Sequence, residues 1–331
     1  MVYFLLTNPV FCFNCAFSVR TLAPSKSLFF INMTDLSEYQ SVSESDNREP
    51  AFRVYFIVLS IASITATALR LWSRAIFEPR GRQFHRVWWD DWAALAATLT
   101  FTGQVIVTIL LSKNGLGRHV WTLSEQSLIL VLRLVYAIYF TYPITLALSK
   151  ASALFFLTRI FPSPRKTEWF NVVILTVHTL NIAWLAGFIL GAIFLCNPIE
   201  KNWIPWTPGT CRQMNTLYLA SAVPSVLIDL VILILPIPKI WRLQASVSRK
   251  FAIILIFVLG YSVVVASLGR LITVFKESTA LETDITYYGL DIFYWTWAEL
   301  SVTLFGISLP AMVHLTSHLI NTYLRPSSQK L

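Results

Sequence analysis

Charge is what this chain has least of. Only 13% of its 331 residues are Asp, Glu, Lys or Arg, about half the share found in a soluble protein. Length alone would permit two soluble domains. The shortage of charge excludes them, because such a chain cannot cover its surface with groups that water solvates. Cysteine is scarce as well. The four present, Cys12, Cys15, Cys196 and Cys211, are too few for a disulfide scaffold of this size. Cys12 and Cys15 form a lone CxxC with no second pair and no histidines beside it, a weak metal or redox signal that reads as incidental. No phosphate-binding glycine motif occurs. No apolar stretch alternates with strict period two, which favours helices over a barrel. No internal repeat is visible, which weighs against an inverted-repeat transporter. No lysine lies in 289–311, where a retinal protein needs one near the middle of its last helix for the Schiff base. The nearest candidate elsewhere, Lys150, reads as lying at an inner helix end. No retinal or other cofactor is therefore expected.

What the chain does have is apolar mass: 56% hydrophobic residues and 14% aromatic ones. Its net charge of +9 would suit nucleic acid, but the basic residues sit in short clusters between apolar runs, as in the cytoplasmic loops of membrane proteins. No nucleic-acid partner is expected; the lipid bilayer is. Seven runs, near 52–72, 91–111, 128–157, 170–195, 216–237, 251–271 and 289–311, are each long enough to cross a hydrocarbon core of about 30 Å. The expected fold is all-α: a polytopic membrane protein with a seven-transmembrane helix bundle.

Loop charge orients it. The first, third and fifth connections and the tail carry Arg70, Arg74, Arg80, Arg82, Arg86, Arg159, Arg165, Lys166, Lys239, Arg242, Arg249, Lys250, Arg325 and Lys330. The other connections carry only Lys113, Arg118, Lys201, Arg212 and Lys276. The basic set is expected in the cytoplasm, with the N-terminus outside and the C-terminus cytoplasmic. Asn32, in the one N-x-S/T sequon found, then lies on the outer side as a glycosylation acceptor. Cys196 and Cys211 share an oxidising outer loop as a disulfide.

Three segments follow: 1–51, an outer tail with an apolar start; 52–315, the membrane domain; and 316–331, a short cytoplasmic tail. The run Met1–Phe17 resembles a signal-peptide core but lacks a basic start and contains Pro9. A cleaved signal, a re-entrant tail and a gene-model artefact all stay open. Residues 34–50 are polar and acidic and read as solvated.

Several groups suit a site. Trp203, Trp206 and three prolines between Cys196 and Cys211 read as a rigid lid over an outer pocket, or as an interfacial aromatic belt stiffened by proline. Asp229 and Glu299 lie mid-span, where a carboxylate is costly and marks a site or a register-fixing ion pair. Arg133 and Arg270, near outer helix ends, pair with these acids or snorkel to headgroups. Asp90 and Asp91 open the second span, where they cap free amides; alternatively they form a cytoplasmic latch with Arg159 or Arg86. His314 and His318 have the i,i+4 spacing of metal ligands but lack a third partner, so no metal is expected.

In order, the chain shows D-D-W (Asp90–Trp92), G-L-G-R-H-V-W (Gly115–Trp121), K-A-S-A-L-F-F-L-T-R-I-F-P (Lys150–Pro162), C-N-P…W…C, D-L-V-I-L-I-L-P-I-P-K-I-W (Asp229–Trp241), S-L-G-R (Ser267–Arg270) and W-A-E-L…L-P-A-M (Trp297–Met312). Together, across 52–315, these resemble the large fungal family of integral membrane proteins with a rhodopsin-like seven-helix domain. Some of its members are proposed as non-classical G-protein-coupled receptors. The resemblance implies an N-terminus-out bundle, the outer-loop cysteines and a membrane role, sometimes beside secondary-metabolism or infection genes. It supplies no agreed ligand or reaction. Some relatives carry an outer cysteine-rich module, which the two-cysteine head of this chain does not match.

The resulting expectation is a multi-pass protein of the plasma membrane rather than internal membranes, without enzymatic activity. It senses an unknown small or amphipathic ligand from the outer face through Asp229, Glu299, Trp295, Trp297 and Arg270. Its basic loops meet a cytoplasmic signalling protein or anionic lipid. A small-molecule or proton-coupled transporter is the alternative, and a zinc-dependent membrane hydrolase a weaker one.

Overall fold

In a computed structural model, residues 48–77, 88–161, 168–241, 247–277 and 284–319 are described. Seven helices dominate them: α1 (Glu49–Phe77), α2 (Trp89–Lys113), α3 (Glu125–Ile160), α4 (Trp169–Ile193), α5 (Met214–Ile234), α6 (Val247–Lys276) and α7 (Ile285–Leu319). All seven are long and apolar enough to cross a membrane. Each contains one of the runs expected from the sequence, except that the fifth run outlasts α5 and the fourth ends just past α4. Pro236 supplies no amide hydrogen, so α5 stops at Ile234 and a short helix, Ile237–Trp241, restarts beyond it.

The helices pack in chain order, α1 against α2, α2 against α3 and so on to α6 against α7, and α7 closes the ring on α1. α7 also touches α2 and α3, so these elements meet through the middle of the bundle. The buried core includes Phe52, Phe56, Phe101, Leu146, Leu154, Trp297 and Leu304. Val54, Ile61, Leu99, Leu175 and Ile182 are exposed on outer faces. That inverted distribution fits a bundle whose solvent is lipid.

At one end, the start of α1, the α2–α3 connection and the start of α7 are sewn together. Gly117 N–H donates to the Thr286 carbonyl (2.9 Å), and Thr286 Oγ1 donates to the Arg118 carbonyl (2.7 Å). Arg48 grips Asp291 through both terminal nitrogens, at 2.6 and 3.1 Å, and the carboxylate raises the guanidinium's pKa above its ordinary value. Gly117 has φ +82°, and a Cβ there would meet the Glu49 backbone. Glycine is the residue that tolerates both conditions.

The α4–α5 connection lies at this same end. Its strands β1 (Cys196–Asn197) and β2 (Thr210–Cys211) pair antiparallel around the Cys196–Cys211 disulfide. Trp203 leans on Tyr136 near the start of α3, with ring centroids 5.5 Å apart. At the opposite end lie the end of α1, the start of α2, the end of α3 and the starts of α4 and α6; in sequence, the basic residues cluster beside these helix ends. We call the two the disulfide end and the basic end.

Candidate functional site

A continuous polar chain crosses the middle of the bundle from α3 through α5 and α6 to α7 and back. Lys150 Nζ, on α3, lies 3.0 Å from Asp229 Oδ1, on α5. It also donates to the Ser225 carbonyl (2.9 Å) and contacts Ser225 Oγ (2.8 Å). Ser267 Oγ, on α6, sits 2.7 Å from Asp229 Oδ2 and 2.6 Å from Glu299 Oε1, on α7. Glu299 Oε2 accepts from Arg270 Nε and from Tyr142 OH, both at 2.7 Å. Lys150, Asp229, Ser267, Arg270 and Glu299 are each no more than 5% exposed. Charges so deep are sustainable because each has an opposite partner and hydrogen bonds.

Two cavities flank this chain. One, of about 120 Å³, is lined by Lys150, Asp229, Phe156, Leu157, Pro236 and Pro310 among others, and lies toward the basic end. The other, of about 60 Å³, is lined by Tyr139, Tyr142, Tyr218, Ser221, Arg270 and Thr296 among others, and lies toward the disulfide end. Tyr139 and Tyr218 share a 2.7 Å hydroxyl contact. Arg270 Nη2 is buried and has no hydrogen-bond partner among the described residues.

The sequence, laid against known proteins, matches the fungal rhodopsin domain over residues 69–318. The chain belongs to the fungal rhodopsin domain family. It is 24% identical to a polyenoic acids biosynthesis gene cluster protein of Metarhizium anisopliae, over 77% of this chain and 71% of that one. It is 30% identical to a SAT4 family membrane protein of Emericella nidulans, over 64% of this chain and 53% of the relative. It is 27% identical to a receptor, GIN3, of Arthrobotrys oligospora, over 80% of this chain and 61% of the relative. No solved structure matches it. The protein is a multi-pass membrane protein of this family.

The fungal rhodopsin domain carries a second buried cluster at its basic end. Arg70, on α1, reaches Asp90 Oδ2 at 2.7 Å and Asp91 Oδ1 at 2.9 Å, both at the start of α2. It also donates to the Ile307 carbonyl on α7. Arg159 Nη1, from the end of α3, lies 3.5 Å from Asp90 and 3.7 Å from Asp91. Arg74 Nε lies 3.8 Å from Asp91. The Asp–Arg159 pairing expected from the sequence is present, but it is the outer layer. The principal partner is Arg70, which the sequence places in the first connection. Arg70 lies inside α1, where the helix runs on to Phe77. Arg86 lies outside the described residues, as do Asn32 and the side chains of His314 and His318.

Of the expected ligand-reading residues, this domain brings Asp229, Glu299 and Arg270 together. Trp295 and Trp297 stand apart from them. Trp297 is fully buried between Phe56 and Phe101, at 5.4 and 5.2 Å, on the side of α7 facing α1 and α2. Two helix positions from Glu299 is about 200° around the axis, so the two side chains face opposite ways. Trp295 is 37% exposed and packs over Gly269, where α6 and α7 approach closely.

Two expectations about basic residues change. Arg270 does not snorkel: it is buried against Glu299. Lys150 is not at a helix end: α3 runs ten residues further, to Ile160, about 15 Å of rise. Arg133 is exposed on α3. Ser267, Ser225 and Tyr142 were not anticipated. Ser225 and Ser267 stand at helix spacing from Asp229 and Arg270, and Ser267 opens the S-L-G-R motif; Tyr142 carries no such signal.

Proposed function

We propose that this protein is a receptor-like sensor of a small, oxygen-bearing or amphipathic molecule. It works without retinal, in the plasma membrane, with its disulfide end outside and its basic end in the cytoplasm. The observation that carries this reading is Arg270: a buried guanidinium with an unpartnered Nη2, lining a tyrosine-rich cavity toward the disulfide end. A buried donor without an acceptor is unfavourable by about 1–3 kcal/mol. A ligand carbonyl, hydroxyl or carboxylate at Nη2 recovers that loss. Its body would lie against Tyr139, Tyr218 and Thr296. Similarity to a relative named a receptor supports the same class.

The basic end supplies a readout. Arg70, Asp90, Asp91 and Arg159 join α1, α2 and α3 beside α7. A shift of α7 transmitted from Glu299 would disturb the Arg70–Ile307 contact. The basic loops there face a cytoplasmic signalling protein or anionic lipid. No catalytic role is proposed.

A metabolite panel scored by thermal shift on the purified protein tests the reading. A true ligand stabilises the wild type and leaves Arg270→Lys unmoved, because lysine lacks the second donor nitrogen. Equal stabilisation of both proteins would remove Arg270 from the site.

A second reading, a small-molecule or proton-coupled carrier, is favoured by the paired cavities on either side of one polar chain. Flux into proteoliposomes separates the two. A carrier moves substrate with a pH dependence that neutralising the buried acids, Asp229→Asn or Glu299→Gln, abolishes; a receptor moves none.

A further inference from the structure

The Ser267 hydroxyl touches two carboxyl groups at once, Asp229 Oδ2 at 2.7 Å and Glu299 Oε1 at 2.6 Å. A hydroxyl has one hydrogen to donate. If both carboxylates are ionised, Ser267 serves one of them, and the other contact sets an anionic oxygen against an oxygen lone pair at hydrogen-bond distance. Both contacts become hydrogen bonds only when one carboxyl carries a proton and donates it to Ser267 Oγ, while Ser267 donates to the other.

We infer that Asp229, Ser267 and Glu299 form a proton-binding site between the two cavities, with the proton on Asp229. The ligand is a solvent proton. It binds Asp229 Oδ2 to form the neutral acid, and no other bond changes. The assignment to Asp229 follows from the neighbours that face the pair. On α7, Glu299 receives two further donors, Arg270 Nε from α6 and Tyr142 OH from α3. An arginine does not give up its proton, so Glu299 stays an anion. On α5, Asp229 meets one other charge, Lys150 from α3, at Oδ1; when Asp229 is neutral, the Lys150 ammonium keeps three oxygen acceptors, Asp229 Oδ1, the Ser225 carbonyl and Ser225 Oγ. Its Oδ2 is engaged by Ser267. Trp184 of α4 lies over Lys150 at 5.5 Å and adds no titrating group.

The consequence is mechanical. Loaded, the site ties α5 to α6 and α7 through an unbroken run of donors and acceptors. Unloaded, one of the two Ser267 contacts opens, and α5 is released from α6–α7 at the level between the cavities. Proton binding and helix packing are thereby linked. This goes beyond the ligand-sensing reading and does not depend on it, since it concerns the protein without ligand.

Infrared difference spectroscopy on purified wild-type protein, titrated across pH, tests it. The expected result is a carbonyl-stretch band of a neutral carboxyl that grows as pH falls, shifts in D₂O and is lost in Asp229→Asn. Asparagine offers the same shape, with an amide N–H toward Ser267 and a carbonyl toward Lys150, so that variant should fold. In Ser267→Ala the band should move, because its hydrogen-bond acceptor is gone. A wild type with no such band at any pH, or a band that survives Asp229→Asn, or one unmoved by Ser267→Ala, overturns the proposal. Failure of the ligand panel would leave these spectra unchanged, so the two readings fail separately.

Discussion

Arg70 and Asp90, twenty residues apart in sequence and on different helices, meet at 2.7 Å with both side chains 1% exposed. The same guanidinium holds Asp91 and the Ile307 carbonyl, so one side chain joins α1, α2 and α7. Removing one member of such a buried set leaves uncompensated charge, a loss of about 3–5 kcal/mol. Arg70→Met should therefore depress the melting temperature strongly. Arg159 is 20% exposed and at least 3.5 Å from either carboxylate, so Arg159→Met should lose no more than about 1 kcal/mol. Equal losses in thermal melts would contradict this division.

Asp229 and Glu299 should respond differently to neutralisation. Asp229→Asn keeps the shape of the protonated acid and should melt within about 1 kcal/mol of the wild type at mildly acidic pH. Glu299→Gln leaves the buried Arg270 without its counter-charge and should lose about 3–5 kcal/mol. Surface expression and melting of the two variants, measured side by side, check the order. The reverse order would place the proton on Glu299.

The Cys196–Cys211 bridge closes a loop with a sequence separation of 15, for which chain entropy gives about 3 kcal/mol. Cys196→Ser with Cys211→Ser should lower the melting temperature and make it insensitive to reductant. The wild type should fall to the same value when reduced. A reductant effect that persists in the double variant would point to Cys12 and Cys15 instead.

Where the backbone allows it, Gly→Ala stabilises by up to about 1 kcal/mol; Gly117→Ala should instead destabilise by more than that, because the left-handed backbone and the Glu49 backbone contact both oppose a Cβ. A thermal melt at or above that of the wild type would count against the α1–α7 seam described at the disulfide end.

Purified protein should return less than about one zinc per chain by metal analysis. Among the described residues no three His, Cys, Asp or Glu side chains gather in a metal-binding group. Stoichiometric zinc that chelators remove with loss of stability would revive a hydrolase reading through His314 and His318.

The seven spans, the family and the bridged cysteines were legible from sequence because each is a local or additive property. Hydropathy sums along a run such as Leu128–Leu157, and Cys196 and Cys211 lie close enough in sequence to meet whatever the bundle does. The charge partners were not legible. Lys150 finds Asp229, Ser267 bridges Asp229 to Glu299, and Arg70 displaces Arg159 as the chief partner of Asp90. Each outcome depends on how neighbouring helices rotate and slide, which is set by long-range packing. The same rotation sends Trp297 into the Phe56–Phe101 core, away from Glu299 two residues on. In lipid an unpaired charge is so unfavourable that the sequence alone implied buried partners; only the tertiary structure decided which ones, and left Arg270 with a donor to spare.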